Sequence, residues 1–322
     1  VKSPFADRLA RRIQNRRSRV CLGLDPDPAR LPAPLLDKHR LLDPEDAGTG
    51  RWRLRAAACV QEFCEKVLAA AAGSCAAAKP QMAWFEALGP EGMQALRHVA
   101  ERAAKLELPL ILDGKRNDIG HTAAQYARAY LGPDVGPEAA AIPADALTVS
   151  PYLGADGIAP FVQRCRDHGC GVFVLAATSN PSGAQVQDLA LDGGGAVAER
   201  VAELIRQAGQ GLAGPHGYGP VGAVVGATRP EMLGRMRELM PESIFLLPGF
   251  GAQGAGPDDV AEAFDEKGLG AVVNASRSLL FATPDNPDGM DFPERCAQRA
   301  EAMRQQIEAA LERAGKPPPE GA

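Results

Sequence analysis

Pro109-Leu110-Ile111-Leu112-Asp113-Gly114-Lys115-Arg116-Asn117-Asp118-Ile119-Gly120-His121-Thr122 begins as an apolar run of strand length and ends abruptly in charge. An apolar run bounded by polar turn residues reads as a buried strand of the parallel type. Asp113, Lys115 and Asp118 then form a D-x-K-x-x-D pattern. Side chains on a strand alternate with period two, so Asp113 and Lys115 are expected on one side. Asp118 lies one short turn further on. Two carboxylates and an ammonium are thereby crowded at the end of a strand that is dry along its length. A lone D-x-K reads as an ordinary ion pair in a solvated loop, so the rest of the chain decides its meaning.

Working outward, the same unit recurs. Short apolar runs at 19–24, 75–78, 109–112, 145–149, 171–175, 221–225, 243–247 and 270–273 read as strands. Helical spacing is read at 5–16, 53–72, 84–105, 122–131, 156–166, 194–208, 229–239, 258–266 and 292–314. A Pro-rich stretch from Asp25 to about residue 50 and a Gly-rich insertion at 209–220 read as irregular. Eight βα units without a strong linker predict a closed (β/α)8 TIM barrel, a single α/β domain, whose active site lies at the C-terminal ends of the strands. An open doubly wound sheet would carry G-x-G-x-x-G after an early strand, and Gly23-Leu24-Asp25 is not that fingerprint. The barrel is assigned to residues 1–283. A C-terminal helix and a Pro/Gly tail expected to be disordered are assigned to 284–322.

Composition narrows the class. The chain has 322 residues, 45% of them hydrophobic, and a net charge of −5 with both signs scattered along it. A nucleic-acid binder would show a basic face, so none is expected as a partner. The seven cysteines form no C-x-x-C pair and read as reduced thiols of a cytoplasmic protein. Five scattered histidines give no case for a bound transition metal. No secretory signal is read at the amphipathic start, and no apolar run approaches the roughly 20 residues of a membrane helix.

If the barrel is right, residues far apart in sequence meet at one rim. Strand one brings Asp25, strand two Lys79, strand three Asp113, Lys115 and Asp118, strand five Ser179, strand seven Gln253 and strand eight Arg277. Charges of opposite sign hold each other ionised where one alone would not be tolerated. The loop Pro248-Gly249-Phe250-Gly251-Ala252-Gln253-Gly254 follows strand seven, and its N–H groups, with Arg277 at the neighbouring strand end, predict a phosphate site.

These residues resemble the orotidine 5'-phosphate decarboxylase family, within it the longer, type 2 subfamily, from about residue 5 to residue 282. The likeness rests on Gly23-Leu24-Asp25-Pro26-Asp27-Pro28, Lys79-Pro80-Gln81, the Asp113–Asp118 run with Ile119, Gly120 and Thr122, Thr178-Ser179-Asn180-Pro181, the Gly249-x-Gly251-Ala252-Gln253 loop and Ser276-Arg277. The resemblance implies decarboxylation of orotidine 5'-phosphate to UMP in pyrimidine biosynthesis, without cofactor or metal. It implies a Lys79, Asp113, Lys115, Asp118 tetrad, with Lys115 delivering a proton to C6 and Asp113 against the departing carboxylate. Asp25 and Lys79 would hold ribose hydroxyls and Ser179 would read the pyrimidine edge. Gln253 would bridge phosphate and base, while Gly251 and Arg277 serve the phosphate. Asp118 and Thr122 would reach into the partner's site of a homodimer. Asn117 departs from the family, which usually has Gly there, and a local turn adjustment is expected. Arg116, His121 and His168 are read as surface residues. Relatives that act on gulonate- and hexulose-type sugar phosphates use Mg²⁺, and Lys-Pro-Gln after strand two disfavours them. A silent nucleotide-binding barrel is the alternative of another class.

Overall fold

Strands buried on both faces need apolar side chains at every position, which is why these runs are continuous rather than alternating. In the computed structural model, which describes residues 3–43, 50–251, 254–281 and 290–317, the runs become β1 (Val20–Leu24), β2 (Ala77–Pro80), β3 (Ile111–Arg116), β4 (Ala146–Val149), β5 (Gly171–Ala177), β6 (Val221–Val225), β7 (Phe245–Leu247) and β8 (Ala271–Ala275). Helices α1 (Phe5–Arg16), α2 (Ala33–Lys38), α3 (Gly50–Ala71), α4 (Met82–Glu86), α5 (Gly89–Lys105) and α6 (Gly120–Tyr130) lie in the first half. The second half carries α7 (Ala155–His168), α8 (Ala184–Gln187), α9 (Val197–Gly209), α10 (Pro230–Leu239), α11 (Arg277–Leu280) and α12 (Phe292–Arg313).

All pairings are parallel, in the order β2-β1-β8-β7-β6-β5-β4-β3. The first and last strands are neighbours, with Val20 opposite Val273. The remaining seam closes through single bridges, Ala78 to Leu110 and Gln81 to Asp113, and Ala78 N–H donates to Pro109 O at 2.9 Å. The result is a (β/α)8 barrel.

Helix α1 plugs the N-terminal end. Phe5, Leu9 and Ile13 are buried in one apolar cluster with the inward residues Cys21, Ala77, Ile111, Ala146, Phe173, Val224, Leu246 and Val272. Burying side chains of this size contributes roughly 1.5–3 kcal/mol each. The Phe5 and Phe173 rings meet edge to face, 5.9 Å apart. Glycine at 171 permits this, because a Cβ there would lie 2.4 Å from the Phe5 ring. The helices cover the outside in a second cluster, in which α12 packs on α3: Phe63 stacks on Phe281 and Phe292, and Cys296, Met303, Ile307 and Leu311 are buried. All seven cysteines are buried, and none is in a disulfide. Burial pushes the thiols of Cys21 and Cys296 up to about 12.

Several expectations need correction. The helix read at 84–105 is two, broken where Gly89 takes φ +73° and Pro90 starts the second. The stretch before residue 50 holds a 3-10 turn (Pro28–Arg30) and α2. The helix expected at 258–266 is only a 3-10 turn (Ala261–Ala263). Its carbonyls are taken from outside: Lys316 Nζ donates to Ala261 O and Phe264 O, each at 2.9 Å, and Arg237 donates to Ala263 O. The tail residues 318–322 lie outside the described residues.

Candidate active site

Two residues beyond the apolar inward layer, the same strands present a polar one: Lys79 on β2, Asp113 on β3, Thr148 on β4 and Asn274 on β8, all buried. Period two alone dictates this, since 77, 111, 146 and 272 face inward below them. Asp113 is the centre. Its Oδ2 accepts from Lys79 Nζ at 2.8 Å and Gln81 Nε2 at 3.1 Å. Its Oδ1 accepts from Lys115 Nζ at 2.6 Å and Thr148 Oγ1 at 2.9 Å. Burial alone would raise this carboxyl, but the charges of Lys79 and Lys115 and their hydrogen bonds hold it well below the usual carboxylate range. Burial would likewise lower Lys79. The charges of Asp113 and Asp25 outweigh that and raise it.

The two lysines differ in access. The Lys79 side chain is 6% exposed, that of Lys115 46%. Lys79 is a fixed interior cation, while Lys115 stands at the open mouth. Strand β3 is not regular there. Between Leu112 and Arg116 four steps on β3 match two on β4, Leu147 to Val149. Lys115 lies in this bulge with φ +45°, a left-handed backbone uncommon for a residue with a Cβ. Simple alternation therefore does not carry Lys115 to Asp113; the bulge re-aims it. Its N–H donates to Thr148 Oγ1 at 2.9 Å.

A cavity of about 200 Å³ opens on this cluster, lined among others by Lys79, Asp113, Lys115, Ser179, Asn180 and Pro248. Ser179 is let in by Gly226, where a Cβ would meet its backbone at 2.8 Å. The preceding residue is braced by Gln187, which accepts from Thr178 N–H and donates to Thr178 Oγ1, both at 2.8 Å. Asp25 is close enough to Lys79 to raise it, and its Oδ1 is buried without a hydrogen-bond partner. Arg277 opens α11 with its side chain exposed. Gly251, φ +70°, lies beside Ser278, so the β7 loop and the end of β8 adjoin. Gln253 lies outside the described residues.

A larger hollow of about 530 Å³ lies at the opposite end, near Arg8, Arg12, Glu107 and Asp145. Two of its lining cations, Arg8 and Arg12, are already engaged by backbone carbonyls and a carboxylate. Arg12 donates to Cys75 O, Glu107 O and Ala72 O, and Arg8 to Gly169 O and Asp145. The mouth holds the reactive groups.

Three of the four tetrad residues thus converge within the chain, and Asp118 does not join them. Its carboxylate accepts from Ile119 N–H at 2.9 Å. Among the described residues no hydrogen bond or ion pair links it to Lys79, Asp113 or Lys115. Thr122 is exposed on α6. Thr148 escaped the sequence reading altogether; its one signal was a hydroxyl in the inward phase of an otherwise apolar strand. Arg116 is no surface residue: its side chain is 20% exposed and ion-paired with Glu86.

Comparison with known proteins places this geometry. Residues 18–287 match the family described as orotidine 5'-phosphate decarboxylase / HUMPS. The orotidine 5'-phosphate decarboxylase of Rhodopirellula baltica is 47% identical over 278 residues, which cover 86% of this chain and 88% of that protein. That of Deinococcus radiodurans is 41% identical over 309 residues, 95% of this chain and 98% of the other. Among solved structures, Leishmania donovani OMP decarboxylase superposes with a TM-score of 0.70 at 31% identity, covering 95% of this chain and 98% of that one.

Proposed function

The chain belongs to the orotidine 5'-phosphate decarboxylase / HUMPS family, and on that premise we propose that it converts orotidine 5'-phosphate to UMP and CO2 in pyrimidine biosynthesis, with Lys115 as the proton donor and no cofactor. The observation that carries this reading is one carboxylate, Asp113, saturated by a buried and an exposed lysine at the mouth. Breaking the bond from C6 to the carboxylate leaves the electron pair on C6 and releases CO2. The Lys115 ammonium gives that carbon a proton and is recharged from solvent. Its positive charge stabilises the developing carbanion before transfer. Asp113 would sit against the departing carboxylate, so the site matches the transition state better than the substrate. Lys79 keeps Asp113 ionised.

Phosphate held by the Gly251 loop and Arg277 would supply binding energy remote from C6, spent on closing the mouth. Asp25 and Lys79 would take ribose hydroxyls and Ser179 the pyrimidine edge. In a homodimer, Asp118 and Thr122 would complete the partner's site. Supporting this, Ile119 and Tyr126 at α6 and Tyr152 and Leu153 just before α7 are exposed apolar side chains, and Gly157 on α7 approaches Asp118 O so closely that a Cβ there would lie 3.4 Å from it. A patch of this kind beside a site marks an interface. No helix among the described residues is long and apolar enough to cross a membrane.

The test is decarboxylation of orotidine 5'-phosphate by the purified chain, with and without EDTA. Activity is expected to be unchanged by EDTA. Metal-dependent turnover of a sugar phosphate instead would favour the gulonate-type relatives. Lys115→Ala is expected to lose about 10³-fold or more in kcat while binding UMP normally by calorimetry. Undiminished turnover in that variant would remove Lys115 from the donor role.

A further inference from the structure

The residue after Lys115 has a part in no role assigned so far. Arg116 returns β3 to register opposite Val149, and its carbonyl accepts from Ser150 N–H at 2.9 Å. Its side chain folds back across the bulge. Nη1 donates to Gly114 O at 3.1 Å, the carbonyl immediately preceding Lys115. Nη2 meets the Glu86 carboxylate on α4 and lies 3.5 Å from Tyr130 Oη on α6. The guanidinium carbon sits 5.8 Å and 5.6 Å from the ring centroids of Tyr126 and Tyr130. Its Nε is buried without a hydrogen-bond partner, as is Asn117 Oδ1 on the next residue.

Lys115 thus has a left-handed backbone and follows a carbonyl, Gly114 O, that the Arg116 guanidinium holds. A conformation of this kind persists only where the surroundings over-determine it. Thr148 Oγ1 holds the Lys115 N–H, and Arg116 ties the carbonyl before it to helices on both sides of the strand. Unpaired buried groups beside it are a cost that packing alone does not explain.

We propose that Arg116 is a positioning residue: clamped by Glu86, Tyr126 and Tyr130, it fixes the bulge that stands the Lys115 ammonium on Asp113. The clamp sets where the proton donor is, not how tightly nucleotide binds. A planar fork is required, since one arm reaches Gly114 O while the other reaches Glu86; a lysine offers a single point charge and cannot span both. This rests on Lys115 being the donor.

The experiment uses the full chain and orotidine 5'-phosphate. Arg116→Ala is expected to lower kcat on the order of 100-fold, the scale of a small misplacement of a reacting group, with the Kd for UMP within about twofold of the parent. Arg116→Lys is expected to recover little, and added guanidinium to restore part of the rate in Arg116→Ala. On a Lys115→Ala background, Arg116→Ala should cost nothing further, because it acts through the group already removed. Unchanged kcat, a parallel loss of UMP affinity, or full additivity with Lys115→Ala would overturn the proposal. Should Arg116→Ala not fold, Glu86→Gln loosens the same clamp from an exposed position and is expected to show the same split in smaller measure; equal loss of binding and rate there would equally overturn it. A parent chain that does not decarboxylate orotidine 5'-phosphate would instead sink the functional reading, an outcome distinct from all of these.

Discussion

The two ends of the barrel are built on the same strands, one alternation apart. At one end Ala77, Ile111, Ala146 and Phe173 cluster with Phe5, Leu9 and Ile13 in a dry plug. Two residues on, about 7 Å along each strand, stand Lys79, Asp113 and Thr148. The step is from contacts without direction to a carboxylate whose oxygens each accept two hydrogen bonds. The apolar floor strengthens what stands on it, because charges interact more strongly where water is excluded. The floor is held by apolar contact alone, and the mouth is held by charge.

The largest effect that would sharpen this contrast comes from Asp113→Ala. It strands buried Lys79 without its anion, and breaking such a pair costs about 3–5 kcal/mol. Urea unfolding should show that loss, and decarboxylation should vanish with it. Leu9→Ala opens a cavity in the plug at about 2–5 kcal/mol. Its kcat per folded molecule should stay at the parent value. If the plug variant lost turnover at full folding, the division between the ends would fail.

The smallest effect is a change expected to be absent. Asp113 titrates lower folded than unfolded, so its stabilisation is complete above the unfolded value of about 3.9 and is lost as pH falls below that. Lys79 titrates higher when folded, so its share is complete below about 10.4 and is lost as pH rises through the raised value. The stability gap between the parent and Asp113→Ala should therefore be flat between about pH 5 and 7, shrink below about pH 4, and shrink again at alkaline pH, where a Lys79 left without Asp113 and lowered by burial gives up its proton. A gap that changes between about pH 5 and 7 would show that Asp113 is not ionised as described.

Residues whose meaning is local were legible in the sequence. The apolar strands announce themselves, and Lys79, Asp113 and Lys115 sit where strands end. The break at Gly89 was also written there, in the Pro90 that follows. Thr148 was not, because a β-branched residue in an apolar run reads as ordinary strand filler until Asp113 faces it. The 3-10 turn at Ala261–Ala263 was hidden because Lys316 and Arg237, remote in sequence, take its carbonyls. Arg116 looked like a surface charge because its partners Glu86 and Tyr130 lie on two different helices.

The seven buried cysteines have a practical corollary. Alkylating reagents attack the thiolate, and here the sulfurs are both shielded and, at Cys21 and Cys296, slow to ionise. Cys21 lies under the mouth, Cys165 on α7 and Cys296 on α12. Labelling kinetics at each would time how often that sector of the barrel opens, giving a map of local unfolding without any added probe.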